Sequence, residues 1–468
     1  MEPLFLHRLA PLDRGSDRTL TVQLYRTLLT AIRAGELSGR LPSSRAAAGM
    51  LGVARNTVNA AYDLLSAEGA IAIRRGAAPV VVGLAAPKAA PVPRNDVPHL
   101  SARGRAIAAL GEDRDRPGLM APGQPDPELF PRDLWAGLLR RTARLTSGEA
   151  LGYRHYAGLP ALREALARRL ATDRGMVLHP DHILVTPGAQ ASLALLALTL
   201  GEPGETALVE DPGYSGAKAA FCTAGLRLRP LPVDAEGADC GQAPAARLVY
   251  LTPANQYPLG VRLSLARRAA FLDHARRHDA FMIEDDYDSE FLWHGRPIAA
   301  FQPDAPERII TIGTAAKALA PGLRLGWIVA PPTIATALAA AQRTLGLVAN
   351  VHAQAALARL IEDGRYRAHL SRIATTYGDR GRAFARALRA IPGVEVADPS
   401  GGVQLAIRLP TGAEAAAHAA LSRAGFAAAP LSAFCIGSDL TGLVAGFGDA
   451  TPERIARFCA VLARTLTA

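Results

Sequence analysis

The sequence predicts an α/β protein of two or three domains with a helix-turn-helix unit at its N-terminus. Three short helical patterns, separated by glycines, come before residue 82. After residue 101, apolar strand patterns alternate with helical patterns, which favours a sheet covered by crossover helices. The chain has 468 residues, of which 49% are hydrophobic, so it is long and apolar enough to bury a large core.

Charge, cysteine spacing and hydropathy narrow the class of protein. The formal net charge of +10 is compatible with nucleic-acid binding, although an arginine-rich composition alone does not establish it. The four cysteines form no CxxC pair and no metal-ligand spacing, so we predict reduced thiols and no metal site. The N-terminus lacks a signal-peptide pattern, and no apolar run reaches the length of a membrane span. These features predict a cytoplasmic protein without a membrane partner.

The first two helices are predicted over residues 19–34 and 45–51. Gly35 ends the first helix, whose apolar positions are Leu20, Leu24, Leu28, Leu29 and Ile32. A serine of the Leu-Pro-Ser-Ser-Arg segment at residues 41–45 is expected to cap the second helix, which ends at Gly52. Gly52 separates this second helix from a third, and two short helices joined by a glycine turn are the layout of a helix-turn-helix.

The third helix and a small hairpin complete this unit, which we place at residues 1–82. The helix begins near Ala54, and its predicted buried face consists of Val58, Ala61, Leu64 and Leu65. Residues 71–76 and 79–82 predict a hairpin with two arginines at its tip, which is typical of a wing.

Polar and basic side chains stand at the predicted outward positions of this unit, able to reach phosphates and base edges. The candidate DNA contacts are Ser43, Ser44, Arg45, Arg55, Asn56, Thr57, Asn59, Arg74 and Arg75, with Tyr62 as a further outward position. Through residue 82 there are ten arginines and six acidic residues, a moderate basic surplus. The alternative interpretation is a helical hairpin used for protein contacts.

The remaining chain predicts a linker followed by the sheet domain. Residues 83–100 are rich in alanine and proline and form the predicted linker, and residues 101–468 form the second domain. Its strands are predicted at residues 183–186, 206–210, 228–232, 247–252, 281–285, 309–312 and 326–330. A smaller αβ part is expected over about 335–468, with strands at residues 402–409 and 442–447.

Chemically distinctive residues follow five of these strands. The segments concerned are residues 187–190, 211–214, 253–260, 285–288 and 314–317. Taken singly, each has an ordinary interpretation as a turn, a core ring or a solvated acidic cap. Since ligands of open α/β sheets bind beyond the carboxyl ends of the strands, we expect the five segments to meet in one site. The helix that begins after Gly188 offers free amides suited to a phosphate.

Lys317 is the candidate reactive amine of this site. The chain holds only three lysines, Lys88, Lys218 and Lys317, and only Lys317 lies between a strand end and a glycine-rich turn. Arginine cannot replace a reactive lysine, because its guanidinium stays protonated. Thr314 and Arg324 flank Lys317 at spacings that suit a phosphate group.

These segments resemble a known family along nearly the whole chain. Residues 41–45, 51–58 and 62–69 are similar to the GntR-type winged helix, and residues 309–327 resemble the lysine motif of fold-type-I enzymes that use pyridoxal phosphate (PLP), with Ala316 in place of the usual serine. Further matching segments are residues 153–163, 185–190, 209–214, 250–260 and 283–291. Together they resemble the MocR subfamily of GntR regulators, in which a winged helix is fused to an aminotransferase-like domain.

The resemblance implies a fold-type-I domain with a large mixed sheet, a small C-terminal αβ part, and PLP as cofactor. Lys317 would form the Schiff base, Asp285 would hold the pyridine nitrogen, and Tyr287 would contact the ring hydroxyl. The implied stacking and phosphate-binding residues are Tyr214, Gly188, Ala189, Gln190, Thr314 and Arg324. It also implies a head-to-tail, domain-swapped homodimer in which Tyr153 reaches the phosphate of the partner's site.

The predicted function is therefore a PLP-dependent transcription regulator that binds operator DNA and senses PLP, an amine or an amino acid. The alternatives are a working aminotransferase with an ancillary N-terminal domain, and a DNA-binding protein with a vestigial PLP domain. Transaminases of this fold commonly have an asparagine where Tyr257 stands and a carboxylate-binding arginine where Val444 stands. Arg343 or Arg408 would have to replace that arginine, so we predict a non-enzymatic sensor with residual half-transamination at most.

Overall fold

The computed structural model describes residues 12–74, 77–82, 100–109, 118–145, 148, 150–289 and 299–467. Its internal contacts divide the chain into two compact units, residues 1–99 and 100–468. The predicted linker lies outside the described residues except for Leu100, and Arg75 and Lys88 also lie outside them.

The described part of the N-terminal unit contains three helices and a two-stranded antiparallel ribbon. The helices are α1 (Leu20–Arg33), α2 (Ser44–Leu51) and α3 (Arg55–Ala67), and the strands are β1 (Ile71–Ala72) and β2 (Val80–Val81). The hydroxyls of Thr19 and Ser43 accept hydrogen bonds from Val22 N and Ala46 N, and so cap α1 and α2. Gly52 turns the chain between α2 and α3 with φ +61°, a backbone conformation that glycine adopts without strain. The predicted helix-turn-helix and wing are confirmed.

The buried face of α3 differs from the prediction at two positions. Tyr62 is 3% exposed, and its hydroxyl donates a hydrogen bond to the carbonyl of Pro42, so the outward placement was wrong. Leu64 was predicted to be buried but is 42% exposed. The reason is helical geometry: Val58, Ala61, Tyr62 and Leu65 follow the i, i+3, i+4, i+7 spacing of one face, and Leu64 falls beside it.

The second unit is built on an eight-stranded mixed sheet. In chain order its strands are β3 (Ile183–Thr186), β4 (Thr206–Asp211), β5 (Arg227–Asp234), β6 (Gly237–Ala238), β7 (Leu248–Leu251), β8 (Phe281–Asp286), β9 (Ile309–Thr314) and β10 (Gly326–Val329). Their spatial order is β3-β10-β9-β8-β7-β4-β5-β6. The five central strands from β9 to β5 are parallel, whereas β10 is antiparallel to both of its neighbours and β6 is antiparallel to β5.

Helices cover both faces of this sheet and extend beyond it. They are α4 (Ala102–Ala109), α5 (Arg132–Leu145), α6 (Pro160–Arg174), α7 (Ala189–Leu200), α8 (Ser215–Thr223), α9 (Leu265–Arg277), α10 (Pro332–Thr344), α11 (Val351–Glu362) and α12 (Arg365–Arg389). One face of the sheet packs against α7, α8 and α10, and the other packs against α9. All seven predicted strands are present, with ends that differ by at most two residues.

A second, four-stranded antiparallel sheet lies near the C-terminus, in the order β11-β12-β14-β13. Its elements are β11 (Glu395–Val396), β12 (Gln404–Arg408), α13 (Glu414–Arg423), β13 (Ala429–Pro430), β14 (Gly442–Gly446) and α14 (Pro452–Thr467). An earlier part of the chain joins this sheet: Leu119 pairs with Phe426, and the amide of Gly446 donates to the carbonyl of Met120 at 2.7 Å. No helix among the described residues is long and apolar enough to cross a membrane.

Candidate functional site

The carboxyl ends of five strands meet at one edge of the large sheet. Strands β4, β7, β8 and β9 are parallel, and β3 runs in the same direction because β10 is antiparallel to both β3 and β9. A cavity lies at this edge. The residues lining it are Gly188, Ala189, Gln190, Tyr214, Tyr250, Thr252, Tyr257, Asp285, Tyr287, Thr314, Ala316, Lys317, Pro321, Arg324 and Leu325. The structure thus brings together nine of the ten predicted cofactor residues, all except Tyr153.

One end of the cavity is suited to an anion. Gly188 caps the N-terminus of α7 with φ +104°, and a Cβ atom added to it would lie 3.7 Å from Cζ of Arg324. The guanidinium of Arg324 therefore stands beside the free amides and the positive dipole end of α7. Thr314 closes this end, with its hydroxyl accepting a hydrogen bond from Ala316 N at 3.1 Å. A helix N-terminus, a guanidinium and a hydroxyl together make a phosphate site.

Lys317 lies between this anion site and the small sheet. Its Nζ donates a hydrogen bond to the carbonyl of Gly123 at 2.6 Å. Burial lowers the pKa of the Lys317 ammonium below its usual value, while the carboxyls of Asp288 and Asp285 oppose that shift. A lowered pKa favours the neutral, nucleophilic form of the amine.

Asp285 lies at the end of β8 and lines the same cavity. Its Oδ2 accepts a hydrogen bond from the hydroxyl of Tyr250 at 2.6 Å, and its Oδ1 has no hydrogen-bond partner among the described residues. Burial raises the pKa of Asp285 to about 7, an effect to which Asp286 adds and which the hydrogen bond from Tyr250 and the charge of Lys317 oppose. A buried carboxylate with one unpaired oxygen suits a cationic ring N–H.

Three tyrosines form an aromatic wall of the cavity. Tyr257 packs edge-on against Tyr214, with ring centroids 5.5 Å apart, and against Tyr287, with centroids 6.1 Å apart. The hydroxyl of Tyr287 donates to the carbonyl of Asn255 at 2.8 Å. The wall offers flat apolar surface to a planar ligand.

Several functional residues were missed from the sequence. Tyr250 lies next to the last residue of β7, a buried strand whose other residues are aliphatic. A single tyrosine in such a strand is the sequence signal that could have identified it. Gly123 carries no local signal, because it contacts Lys317 across 194 residues of chain. Tyr153 does not line the cavity, and its side chain is fully exposed in the single chain.

The candidate DNA interface is on the N-terminal unit. Six of its predicted contact residues are exposed: Ser43, Arg45, Arg55, Asn56, Asn59 and Arg74. Ser44 and Thr57 are half-buried. Arg55 is the first residue of α3, and its Nε donates to Oγ of Ser44 at 3.3 Å, which joins the starts of α2 and α3. In helix-turn-helix proteins the residues that contact bases lie at the start of the second helix of the motif. The exposed polar residues at the start of α3 lie at the same place.

Comparison with known proteins matches each unit to a family. Residues 20–81 match the gntR family of bacterial regulatory proteins, and residues 131–458 match aminotransferase class I and II. The probable rhizopine catabolism regulatory protein MocR of Rhizobium meliloti is 40% identical over 390 residues, which cover 81% of this chain and 79% of that protein. The chain belongs to the MocR-type GntR regulators.

A second MocR-type relative and a solved structure support this assignment. The HTH-type transcriptional regulator TauR of Rhodobacter capsulatus is 34% identical over 410 residues, which cover 81% of each chain. Kynurenine aminotransferase of Pyrococcus horikoshii, solved in complex with PMP, superimposes with a TM-score of 0.70 and 28% identity, and covers 79% of this chain and 95% of its own. This MocR-type chain therefore has a gntR-family domain, which implies DNA binding, and a PLP-binding fold.

The residues present fit PLP on the evidence of this structure. The orphaned Oδ1 of buried Asp285 matches a pyridinium N–H, and the amides at Gly188 with Arg324 match a phosphate. Lys317 provides the amine, and the tyrosine wall provides surface for a planar ring. The residues of this MocR-type cavity thus agree with the phosphate, the ring nitrogen and the amine-reactive carbon of the cofactor.

Proposed function

We propose that this chain is a PLP-dependent transcription regulator whose aminotransferase-like domain senses PLP, an amine or an amino acid and controls operator binding by the winged helix. The observation that carries the proposal is the arrangement of Lys317, Asp285 and Arg324 around one cavity in a chain that also bears an exposed recognition helix. An anion site, a desolvated amine and a buried carboxylate are the three groups that PLP requires.

Each residue has a distinct task toward the cofactor. Arg324, Thr314 and the amides of residues 188–190 hold the phosphate, and Asp285 keeps the ring nitrogen protonated. Tyr214 stacks on the ring, while Tyr287 contacts the ring hydroxyl. When bound, PLP supplies an electrophilic carbon and an electron-accepting ring. Lys317 presents its neutral amine to that carbon, because burial favours the uncharged form.

The proposed assembly is a head-to-tail, domain-swapped homodimer in the cytoplasm that binds an operator with two half-sites. Exposed Tyr153 would then reach the phosphate of the partner's site. The proposed domains are residues 1–82, a linker at 83–100, and residues 101–468 with the smaller part from about residue 335. A two-fold dimer would present two recognition helices to two half-sites.

Val444 supports a sensor over an enzyme. It is fully buried in β14 against Leu431 and Phe434, so the small sheet presents an apolar side chain where the transaminase pattern calls for a carboxylate-binding arginine. Without a bidentate charge-assisted pair, an amino acid loses the anchor that orients it for proton abstraction. We expect weak or absent transaminase turnover, and PLP itself as the preferred sensed ligand.

A working aminotransferase is the second candidate, because the cavity holds an amine, an anion site and a buried carboxylate together. The two functions are separated by titrating PLP into apo-protein while following its binding to labelled DNA from upstream of its own gene and of the adjacent gene. A regulator changes its DNA affinity with PLP or with one amino acid added to the holo-protein. Sustained turnover of an amino donor with a keto acid, together with no DNA affinity, would establish the enzyme instead.

A further inference from the structure

Gln404 brings an amide from the small sheet to the Lys317 end of the cavity. Gln404 lies in β12 and pairs with Gly446 of β14. Val444 comes two residues before Gly446 in β14, so Gln404 and Val444 lie on the same face of the small sheet. The side chain is buried, with 6% of the residue exposed, and its Nε2 donates to the hydroxyl of Tyr287 at 3.3 Å. Gln404 is therefore a buried polar residue held beside a cavity-lining tyrosine.

The hydrogen-bond network fixes which way this amide points. The hydroxyl of Tyr287 has one hydrogen, which it donates to the carbonyl of Asn255. It therefore accepts from Gln404, so the amide nitrogen faces Tyr287 and Oε1 faces away from it. Oε1 is buried and accepts no hydrogen bond from any residue that the structure describes. A buried acceptor of this kind costs free energy unless a donor reaches it.

Oε1 of Gln404 lies near the reactive amine, although Gln404 itself is not among the residues that line the cavity. A Cβ atom placed on Gly123 would lie 2.9 Å from Nζ of Lys317 and 3.9 Å from Oε1 of Gln404. A ligand atom at that position, beside Nζ of Lys317, would therefore lie close to this oxygen.

The charges near Lys317 favour a ligand group that donates a hydrogen bond over a ligand group that is an anion. The carboxyls of Asp288 and Asp285 both act on Lys317, and Val444 is packed into an apolar cluster with Leu431 and Phe434. Among the described lining residues, the cation other than Lys317 is Arg324, which stands at the anion site beside Gly188. A ligand carboxylate next to Gln404 would face an acceptor oxygen, and Lys317 is the one cation beside it among the described lining residues, whereas a hydroxyl would donate to Oε1.

We propose that Gln404 is a specificity-determining residue, and that an amine which acts on the PLP-loaded protein carries a hydroxyl group near its nitrogen in place of a carboxylate. The amine enters at Lys317, and its hydroxyl donates to Oε1 of Gln404. This inference rests on the proposed function, because it assigns the ligand class of the same cavity.

The test compares three small amines on the PLP-loaded, full-length protein. Ethanolamine, ethylamine and glycine share an amine and differ in carrying a hydroxyl, a methyl or a carboxylate, and each is titrated while the absorbance of bound PLP is recorded. We expect ethanolamine to act at a concentration roughly threefold to tenfold lower than ethylamine, as one hydrogen bond allows, and glycine to be the weakest. Glycine equal to or better than ethanolamine, or no spectral change with any of the three, would overturn the inference.

Two variants assign the preference to Gln404. Gln404→Leu removes the acceptor and should abolish the advantage of ethanolamine over ethylamine. Gln404→Glu keeps an acceptor, so it should retain that advantage and weaken glycine further. An equal change for all three amines in the leucine variant would mean a merely structural role. If that variant does not fold, the wild-type ranking and the glutamate variant still decide.

The same titration distinguishes failure of the inference about Gln404 from failure of the proposed PLP-dependent function. A protein that shows no PLP absorbance band before any amine is added would refute the PLP proposal and this inference together. A normal PLP band with a preference for glycine would refute only the inference.

Discussion

At the scale of single residues, the two described lysines have separate tasks. Lys218 stands in α8, where its Nζ donates to the carbonyl of Phe434 and lies 3.9 Å from Oδ1 of Asp211. Lys317 donates to Gly123 at the cavity. Burial lowers the pKa of both ammonium groups, so the lowered pKa does not distinguish them. Their positions do, because only Lys317 lines the cavity that holds the anion site.

The variant Lys317→Ala should lose the covalent link to PLP completely, because no other described lysine reaches the cavity. The measurement is borohydride reduction followed by mass analysis of the labelled peptide. Lys218→Met serves as the control and should still be labelled at residue 317. A reducible PLP link that persists in Lys317→Ala would show that another amine carries it.

At the scale of elements, the start of α3 is the proposed reader of DNA sequence. Replacing Arg55 with alanine should lower affinity for the preferred operator by about 1–3 kcal/mol and relax the base preference, because a bidentate contact to a base is lost. Fluorescence anisotropy on the preferred and on scrambled operators measures both effects.

Arg74, exposed next to the ribbon, is the matched control for Arg55. Arg74→Ala should weaken all DNA sequences about equally and reduce the slope of log affinity against log salt by about one, since it contacts phosphate. If both variants kept wild-type DNA affinity, the proposed interface would be wrong.

The segment that carries Gly123 is a second element whose geometry can be tested. Gly123 has φ +71°, and a Cβ atom there would lie 2.9 Å from Nζ of Lys317. Gly123→Ala should therefore weaken PLP binding in addition to straining the backbone. The matched control is Gly364→Ala, at the same φ of +71° but with nothing within 4 Å of the added Cβ.

Equilibrium dialysis with PLP and urea unfolding separate the two contributions in these glycine variants. Both should lose about 1 kcal/mol of stability from the left-handed backbone. Only Gly123→Ala should bind PLP more weakly. Equal PLP affinity in the two variants would show that Gly123 does not contribute to the PLP site.

At the scale of the whole molecule, four buried carboxyls surround the sheet edge and give the apo-protein a pH dependence. Burial is the main cause of the raised pKa in each, to about 7 for Glu210, Glu284 and Asp285 and to about 8 for Asp288. In the unfolded chain the pKa values of these groups return to the ordinary range of 3.8 to 4.5. The folded state therefore binds more protons than the unfolded state between about pH 4 and pH 7, and its stability falls as pH rises through that window.

We expect the urea midpoint of the apo-protein to be lower at pH 7 than at pH 5.5. Asp285→Asn should flatten the dependence of the unfolding free energy on pH by up to about 1.4 kcal/mol per unit, the effect of one proton. Asp279→Asn is the control: its exposed carboxyl has a lowered pKa beside Arg308, so it is ionised in both states across this window. If the unfolding free energy of Asp285→Asn depended on pH as steeply as that of wild type, the raised pKa of Asp285 would be contradicted.

The sequence allowed the elements to be placed closely, because apolar periodicity is a local property. The seven predicted strands and the three N-terminal helices are present, whereas the two-residue strands β6, β11 and β13 were not foreseen, since two residues carry no alternation. Leu64 and Tyr62 were assigned to the wrong faces of α3. Each residue of a helix is rotated by about 100° from the one before it, and which side of α3 is buried depends on how it packs against α1 and α2.

The sequence by itself determined which chemical groups follow the strand ends, and hence the candidates Lys317, Asp285 and Arg324. Only the tertiary structure placed Tyr250 beside Asp285, Gly123 beside Lys317 and Gln404 beside Tyr287. Tyr250 contacts Asp285 across 35 residues of chain, Gln404 contacts Tyr287 across 117, and Gly123 contacts Lys317 across 194. Contacts at such separations leave no local pattern, because they depend on how the two sheets and the segment at residues 118–124 pack together.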